Sequence, residues 1–316
     1  MENRKMRIIF FGTSEFGAII LEKMIQAGYS PVLVVTTPDK PAGRKQILTP
    51  PPVKICAQKY NIPVNQPEKL GLAKFNLAKP SLPHPDLFIV ASYGKILPQK
   101  ILNIPRFGTL NVHPSILPKY RGPSPIQNTI LNGEKETGVT IMLLDEKMDH
   151  GPILTNSKLQ RTNNEYTYEE LHNKLAELGA ELLIETIPQW VEGKIKPALQ
   201  DDSKATYTKI IKKEDGRVDW KKDAGYIERQ VRAFNPWPGT YATFQGKLLK
   251  ILKAKVVEQT SSKKLGETFK LQNGEIAVQT GKDALVLEEL QLEGKKPMPS
   301  KEFLLGYKDF IGAILC

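Results

Sequence analysis

An α/β fold in two domains is what this 316-residue sequence predicts, and three observations carry the prediction. Apolar runs such as "RIIFF" and "DLFIVAS" alternate with amphipathic segments through the first part of the chain. A polar, Lys-rich stretch, "EGKIKPALQDDSKATY", then interrupts the pattern. Beyond it come five short strand candidates separated by Gly or polar turns. Strands apolar along their whole length, alternating with helices, imply a mainly parallel sheet with helices on both faces, a Rossmann-like arrangement. Short strands at close spacing imply a small OB-like β-barrel. The length also exceeds what one hydrophobic core usually serves. The expected organisation is therefore a first domain over 1–191, a linker over 192–206 and a barrel over 207–316.

Taken in order, "RIIFF" reads as the first buried strand. A helix follows from Ser14, in which Phe16, Ile19, Ile20, Met24 and Ala27 recur at helical spacing before Gly28 stops it. "PVLVVTT" is a second strand, and "DLFIVAS" (86–92), "GTLNVH" (108–113) and "GVTIMLL" (138–144) continue the sheet. A long amphipathic helix runs from about Tyr168 to Val191. After the linker a short helix near Ile227 to Phe234 precedes "TYATFQ", "KLLKILKAKVV", "GETFKLQ", "EIAVQT" and "ALVLEELQL".

Composition narrows the class. With 40% hydrophobic and 25% charged residues, and no run near the roughly 20 apolar residues of a membrane helix, a soluble chain free of membrane association is expected. The apolar run after "MENRKM" is too short for a signal peptide, which gives a cytoplasmic address. Cys56 and Cys316 form neither a metal-ligand spacing nor a disulfide framework. The net charge of +11 is large enough to attract a polyanion. It is shared between the domains: residues 207–316 hold 20 Lys and Arg against 14 Asp and Glu. A long acidic partner such as RNA and an ordinary solubility charge both fit that balance.

Three segments can carry chemistry. In "IIFFGTSEFG", Gly12 and Gly17 lack both the G-x-G-x-x-G fingerprint and a following Lys-Ser/Thr, so a plain tight turn is expected there. In "LNVHPSILPKYRG", side chains alternate along the strand, so Asn111 and His113 share a face at its C-terminal end, where open α/β sheets place ligands. In "LLDEKMDHGPIL", Asp149 would hang beside His113 if the two strands are neighbours after the intervening helix. His150 and His113 find no further ligand at suitable spacing, and no metal is expected. An amide, an imidazole and a carboxylate without a recognisable Ser or Cys nucleophile suit acyl transfer to an amine. There the amine is the nucleophile, and the protein stabilises an oxyanion and handles a proton.

At these residues the sequence resembles the folate-dependent formyltransferases, through "NVHPSILPKYRG" and "ETGVTIMLLDEKMDHGPIL". "TTPDKPAGRKQILTPPPVK", "SYGKILP", "GPSPIQ", "VDW" and "RAFNPWPGTY", in the same order, resemble the branch that formylates the α-amine of methionyl initiator tRNA. The resemblance spans nearly the whole chain. It implies 10-formyltetrahydrofolate as donor co-substrate, and Asn111, His113 and Asp149 as catalytic residues. Ser115, Ile116, Leu117 and Pro118 would match the folate-associated segment, with Ile in place of its first Leu, and Gly94, Lys95, Ile96 and Leu97 would offer backbone groups to the pterin. Phe16 would lie near the methionyl side chain. The loop carrying Lys40, Arg44 and Lys45 would enter the tRNA acceptor end, with Arg44 as main contact, although "RKQ" replaces the Gly and Lys that many relatives have after that Arg. Lys209, Lys212 and Lys213 would share a helical face toward RNA, or merely a solvated one. A monomer is expected. Two other readings remain at this point: a folate-dependent formyltransferase or hydrolase acting on a small-molecule amine, and a non-catalytic RNA-binding protein on an enzyme fold.

Overall fold

The computed structural model describes residues 6–43, 45–69, 84–160, 166–259 and 263–316. The chain divides into two compact units. One comprises residues 1–125, 136–160 and 172–208, and the other 126–135, 161–171 and 209–316.

The first unit is built on β1 (Ile8–Gly12), α1 (Glu15–Gln26), β2 (Leu33–Val35), β3 (Lys40–Ala42), β4 (Ile47–Thr49), α2 (Pro52–Lys59), β5 (Val64–Asn65), β6 (Leu87–Ala91), α3 (Gln99–Leu102) and β7 (Thr109–His113). After α4 (Pro125–Leu131) come β8 (Glu136–Leu143), β9 (Ile153–Gln160) and α5 (Tyr168–Val191). Seven strands form one sheet in the order β5-β2-β1-β6-β7-β8-β9. The neighbours from β5 to β7 run parallel. Every residue of β1, β6 and β7 is buried; the continuous apolar runs of β1 and β6 require this of strands covered on both faces, while β7 buries the polar Thr109, Asn111 and His113 as well.

Three features depart from the sequence reading. β8 runs antiparallel to β7, with His113 opposite Thr140 and Leu110 opposite Leu143. A parallel return needs a crossover element packed on the sheet, whereas α4 is only seven residues long and, after Pro125, counts with the second unit. β9, also antiparallel, lies in no predicted strand. Its burial alternates as in an edge strand with one wet face, so "ILTNSKLQ" carries too few apolar residues to stand out. The stretch 38–52, read as a loop, contains the antiparallel pair β3–β4, with Lys40 opposite Thr49.

In the second unit α6 (Ala224–Phe234) precedes β10 (Thr240–Phe244), β11 (Lys247–Val257), β12 (Thr268–Lys270), β13 (Ile276–Gln279), β14 (Ala284–Leu292), β15 (Met298–Pro299) and α7 (Ser300–Gly306). The five predicted strands are all present, in an antiparallel half-barrel ordered β10-β11-β14-β13-β12, with β15 on β14. Ile227 and Val231 of α6 join Phe244, Leu249, Leu287, Phe303 and Phe310 in its core. The end of the chain satisfies both edge strands. Thr243 of β10 exchanges two backbone hydrogen bonds with Cys316, Thr268 of β12 donates to the Ala313 carbonyl, and the Leu315 N–H donates to that of Gly266. Edge strands left open are templates for unwanted pairing, and here the last five residues occupy both.

Among the described residues no helix is long and apolar enough to cross a membrane.

Candidate active site at the end of strand β7

Strand alternation puts Asn111 and His113 on one face of β7 and Leu110 and Val112 on the other. Asn111 is 8% exposed and His113 4%. Among the described residues the Asn111 amide makes no hydrogen bond. A buried amide normally finds partners, so these donors and acceptor are available to something that enters the site.

The chain leaves β7 through a loop braced against itself. The Ser115 N–H donates to the His113 carbonyl, the Ser115 hydroxyl donates to the Lys119 carbonyl at 2.6 Å, and the Thr140 hydroxyl of β8 donates to the Ser115 carbonyl while accepting from the Leu117 N–H. Tyr120 sits at φ +61°, where few residues other than glycine are comfortable, and its carbonyl accepts a hydrogen bond from His113 Nε2 at 3.0 Å. That bond commits Nε2 as a donor and turns Nδ1 toward Asp149, whose carboxylate oxygen lies 3.7 Å away. The same oxygen accepts the Gly122 N–H at 2.7 Å.

Asp149 reaches this position although its strand ends beside Leu110 rather than His113. The loop after β8 folds back, and Gly151 permits it: a Cβ there would stand 1.9 Å from the Leu143 carbonyl oxygen. Asp149 itself has φ +47°. Backbone held in the left-handed region by surrounding structure is a recurrent feature of working sites. The neighbouring His150 is engaged by Asp145 at 2.6 Å, and among the described residues no group of His, Cys, Asp and Glu could hold a metal ion.

The other expected site residues fall in varied places. Ser115 and Leu117 are buried within the loop after β7, Ile116 is half-buried there, and Pro118 accepts the Thr206 N–H at its carbonyl. Gly94 has φ +76° in the turn after β6; Ile96 is exposed and Leu97 packs into the core. The Lys95 ammonium donates to the carbonyls of Pro67 and Glu68. Phe16 is buried on α1 with its ring edge-on to His172 of α5, centroids 5.6 Å apart. Lys40 opens β3 and Lys45 lies in the exposed β3–β4 turn, while Arg44 is outside the described residues. The helical face expected for Lys209, Lys212 and Lys213 does not form. All three are exposed, and only Lys213 enters a regular element, the single 3-10 turn Lys213–Gly216. A turn of that kind follows because Asp215 accepts the Lys212 N–H and closes the segment after one turn. Sequence reasoning missed Arg121, 1% exposed with its guanidinium fully engaged. It stands inside the quoted "KYRG" motif, and a lone Arg there carries no sign that it is buried.

Residues 6–187 match the Formyl transferase family and residues 210–308 the family described as Formyl transferase, C-terminal domain. The methionyl-tRNA formyltransferase of Citrifermentans bemidjiense is 43% identical over 98% of this chain and 96% of its own. That of Chloroflexus aurantiacus is 45% identical over 95% of this chain and 97% of its own. Among solved structures, HypX from Aquifex aeolicus in complex with tetrahydrofolic acid superposes with a TM-score of 0.63 at 21% identity, covering 95% of this chain and 47% of that one.

Proposed function

The chain belongs to the formyl transferase family, and from that membership we infer that it formylates the α-amine of methionyl initiator tRNA, the reaction of the methionyl-tRNA formyltransferases it resembles. The formyl donor is a folate, and we assign it as 10-formyltetrahydrofolate. The product is N-formylmethionyl-tRNA, which serves translation initiation. The observation that carries the chemistry is the buried Asn111 amide, without a hydrogen-bond partner among the described residues, on the same strand end as the His113–Asp149 pair.

Transfer between two nitrogens forms one C–N bond, breaks another and moves one proton from the attacking amine to the leaving nitrogen. Asn111 donates from its amide to the formyl oxygen as that oxygen takes up negative charge, a role worth about 3–4 kcal/mol for a preorganised donor. His113 and Asp149 take up and return the proton, the ring being aligned by its bond to the Tyr120 carbonyl. No Ser or Cys nucleophile is needed, because the amine attacks directly. A free amide at the strand end fits the donor's formyl group, and the braced turn Ser115, Ile116, Leu117 and Pro118, with the backbone of Gly94, Lys95, Ile96 and Leu97, flanks the folate. Phe16 borders the methionyl side chain. Lys40, Arg44 and Lys45 on the 38–52 segment, and Lys209, Lys212 and Lys213 in the second unit, neutralise tRNA phosphates. In this reading the protein acts as a cytoplasmic monomer, with chemistry in a domain ending at 191 and RNA binding in one beginning at 207.

The test is formyl transfer from 10-formyltetrahydrofolate to a panel of acceptors. Turnover is expected with methionine-charged initiator tRNA and not with free methionine or an amino sugar; equal rates on the small amines would overturn the assignment.

A further inference from the structure

We propose that Gln200, held by Arg121, is a positioning residue for formyl transfer that fixes Asp149 from its backbone side. The proposal rests on the reading of Asp149 as part of the reacting centre, and goes beyond it by adding a segment expected to be only a linker.

The Gln200 amide is saturated. Nε2 donates to the Asp149 carbonyl at 2.9 Å and to the Gly151 carbonyl at 2.8 Å, while Oε1 accepts from Arg121 Nε at 3.0 Å and Nη2 at 2.8 Å. Only one orientation of the amide satisfies these partners, because carbonyls only accept and a guanidinium only donates. Arg121 is held in turn: its remaining groups reach Asp202 at 2.8 Å and the Tyr207 hydroxyl at 3.1 Å. Its backbone N–H donates to the Thr206 carbonyl and its own carbonyl accepts the Thr208 N–H. The residue after it is Gly122, whose N–H binds the Asp149 carboxylate.

These bonds close a ring. It runs from the Asp149 carbonyl through the Gln200 amide to the Arg121 guanidinium, along the backbone to the Gly122 N–H, and back to the Asp149 carboxylate. One residue is thereby gripped at both its main chain and its side chain. The grip explains how Asp149 keeps φ +47°, a conformation that surrounding bonds must impose on a residue with a side chain. Gly122 completes the fit, since at φ +114° a Cβ would meet the Thr208 carbonyl oxygen at 2.8 Å. The buried Arg121 charge is matched by Asp202, whose carboxyl the guanidinium holds below the usual range. Without the two Gln200 donors, the Asp149 and Gly151 carbonyls lose these bonds, and the carboxylate loses its fixed distance to His113. Displacements on the scale of an ångström at a reacting group cost up to about 100-fold in rate.

The experiment compares the full chain with Gln200→Ala, Gln200→Glu, Asp149→Asn and, on the same segment, the exposed Leu199→Ala, using 10-formyltetrahydrofolate and methionyl-tRNA. Gln200→Glu keeps the size of the side chain and its pairing with Arg121 but faces two carbonyls with a carboxylate. A merely structural role would show as less folded protein with kcat per folded molecule kept, whereas the positioning role predicts, in protein whose circular dichroism and melting match wild type, a kcat loss of about 10- to 100-fold, as for Gln200→Ala. KM for the tRNA should stay within about twofold, and Leu199→Ala should be unchanged. Adding Gln200→Ala to Asp149→Asn should cost nothing further in single-turnover rate, because both act through one group. Should Gln200→Ala fail to fold, the kcat of Gln200→Glu decides alone. A Gln200→Glu kcat within twofold of wild type overturns the proposal, as does a double variant that loses the product of both effects. If Asp149→Asn itself retains full kcat, the assigned centre fails first; an inactive Asp149→Asn beside an unaffected Gln200→Glu removes only the clamp.

Discussion

The sheet of the first unit and the half-barrel of the second place their polar groups by opposite rules. β1, β6 and β7 are buried along their whole length, so polar chemistry can enter only where strands end. There the unit holds Ser92, Tyr120 and Asp149 at positive φ. In the half-barrel β13 is likewise buried, but two neighbouring strands have a wetter face: β10 reads buried and half-buried in turn, and β11 exposes Lys247, Lys253 and Lys255. Its non-glycine residues at positive φ, Gln245 and Asp283, lie between consecutive strands and simply reverse the chain. A doubly covered sheet concentrates a few groups at one point, as catalysis requires. A sheet with a wet face spreads charge over an area, as a polyanion requires.

The largest effect that could break this contrast is on kcat. Asn111→Ala is expected to lower kcat about 100- to 1,000-fold, the usual loss of a preorganised donor, while leaving tRNA affinity nearly unchanged. A filter-binding measurement beside steady-state kinetics checks both. If tRNA affinity fell together with kcat, the strand end would be serving binding as much as chemistry.

Next comes the stability of the half-barrel. Leu315 is 1% exposed and sits in the tail that pairs with both edge strands. Leu315→Ala should destabilise by about 2–5 kcal/mol, with protection lost first in β10 and β12 by hydrogen exchange. The first unit should keep its protection pattern. Loss spread evenly over both units would mean that they unfold together and that the contrast stops at architecture.

A smaller effect concerns charge. Replacing Lys209, Lys212 and Lys213 by Ala should raise KM for tRNA several-fold with kcat unchanged. The salt slope of log K should fall by up to about 0.9 per phosphate contact removed. An unchanged slope would leave these lysines as a solvated face.

Which parts of this were legible in the sequence follows from how local each signal is. Continuous apolar runs sufficed for β1 and β6, and the two-residue period placed Asn111 and His113 on one face of β7. The half-barrel strands were bounded by their own turn residues. The direction of β8 was not legible, because its apolar run is the same whether the chain crosses over or turns back. Neither was the Gln200 clamp: its partners lie 51 and 79 residues away, inside a polar stretch whose composition resembles a linker. Asp149 was singled out by its motif, yet for a different reason from the one that positions it, since the loop folds back instead of leaving a parallel strand.

The smallest expected effect is on acid stability, and it sharpens the same contrast. Among the described residues of the first unit five carboxyls are held below their usual range: Glu22 by Lys59, Asp39 by Gln66 and Lys54, Glu136 by Lys158, Asp201 by Ser203, and Asp202 by Arg121. Among those of the second unit two are so held, Glu267 bonded by the Lys264 N–H and Glu275 by Lys255. A carboxyl with a lowered folded pKa stabilises fully above its unfolded value near 4, and that contribution is lost as pH falls through the folded value. All seven are solvent-accessible and each contributes little, so only the sum should be visible. Between pH 6 and pH 3 the amides of β1, β6 and β7 should lose hydrogen-exchange protection before those of β11 and β14. The reverse order would show that the half-barrel, with fewer such pairs, depends on its ionised carboxylates more than the sheet does.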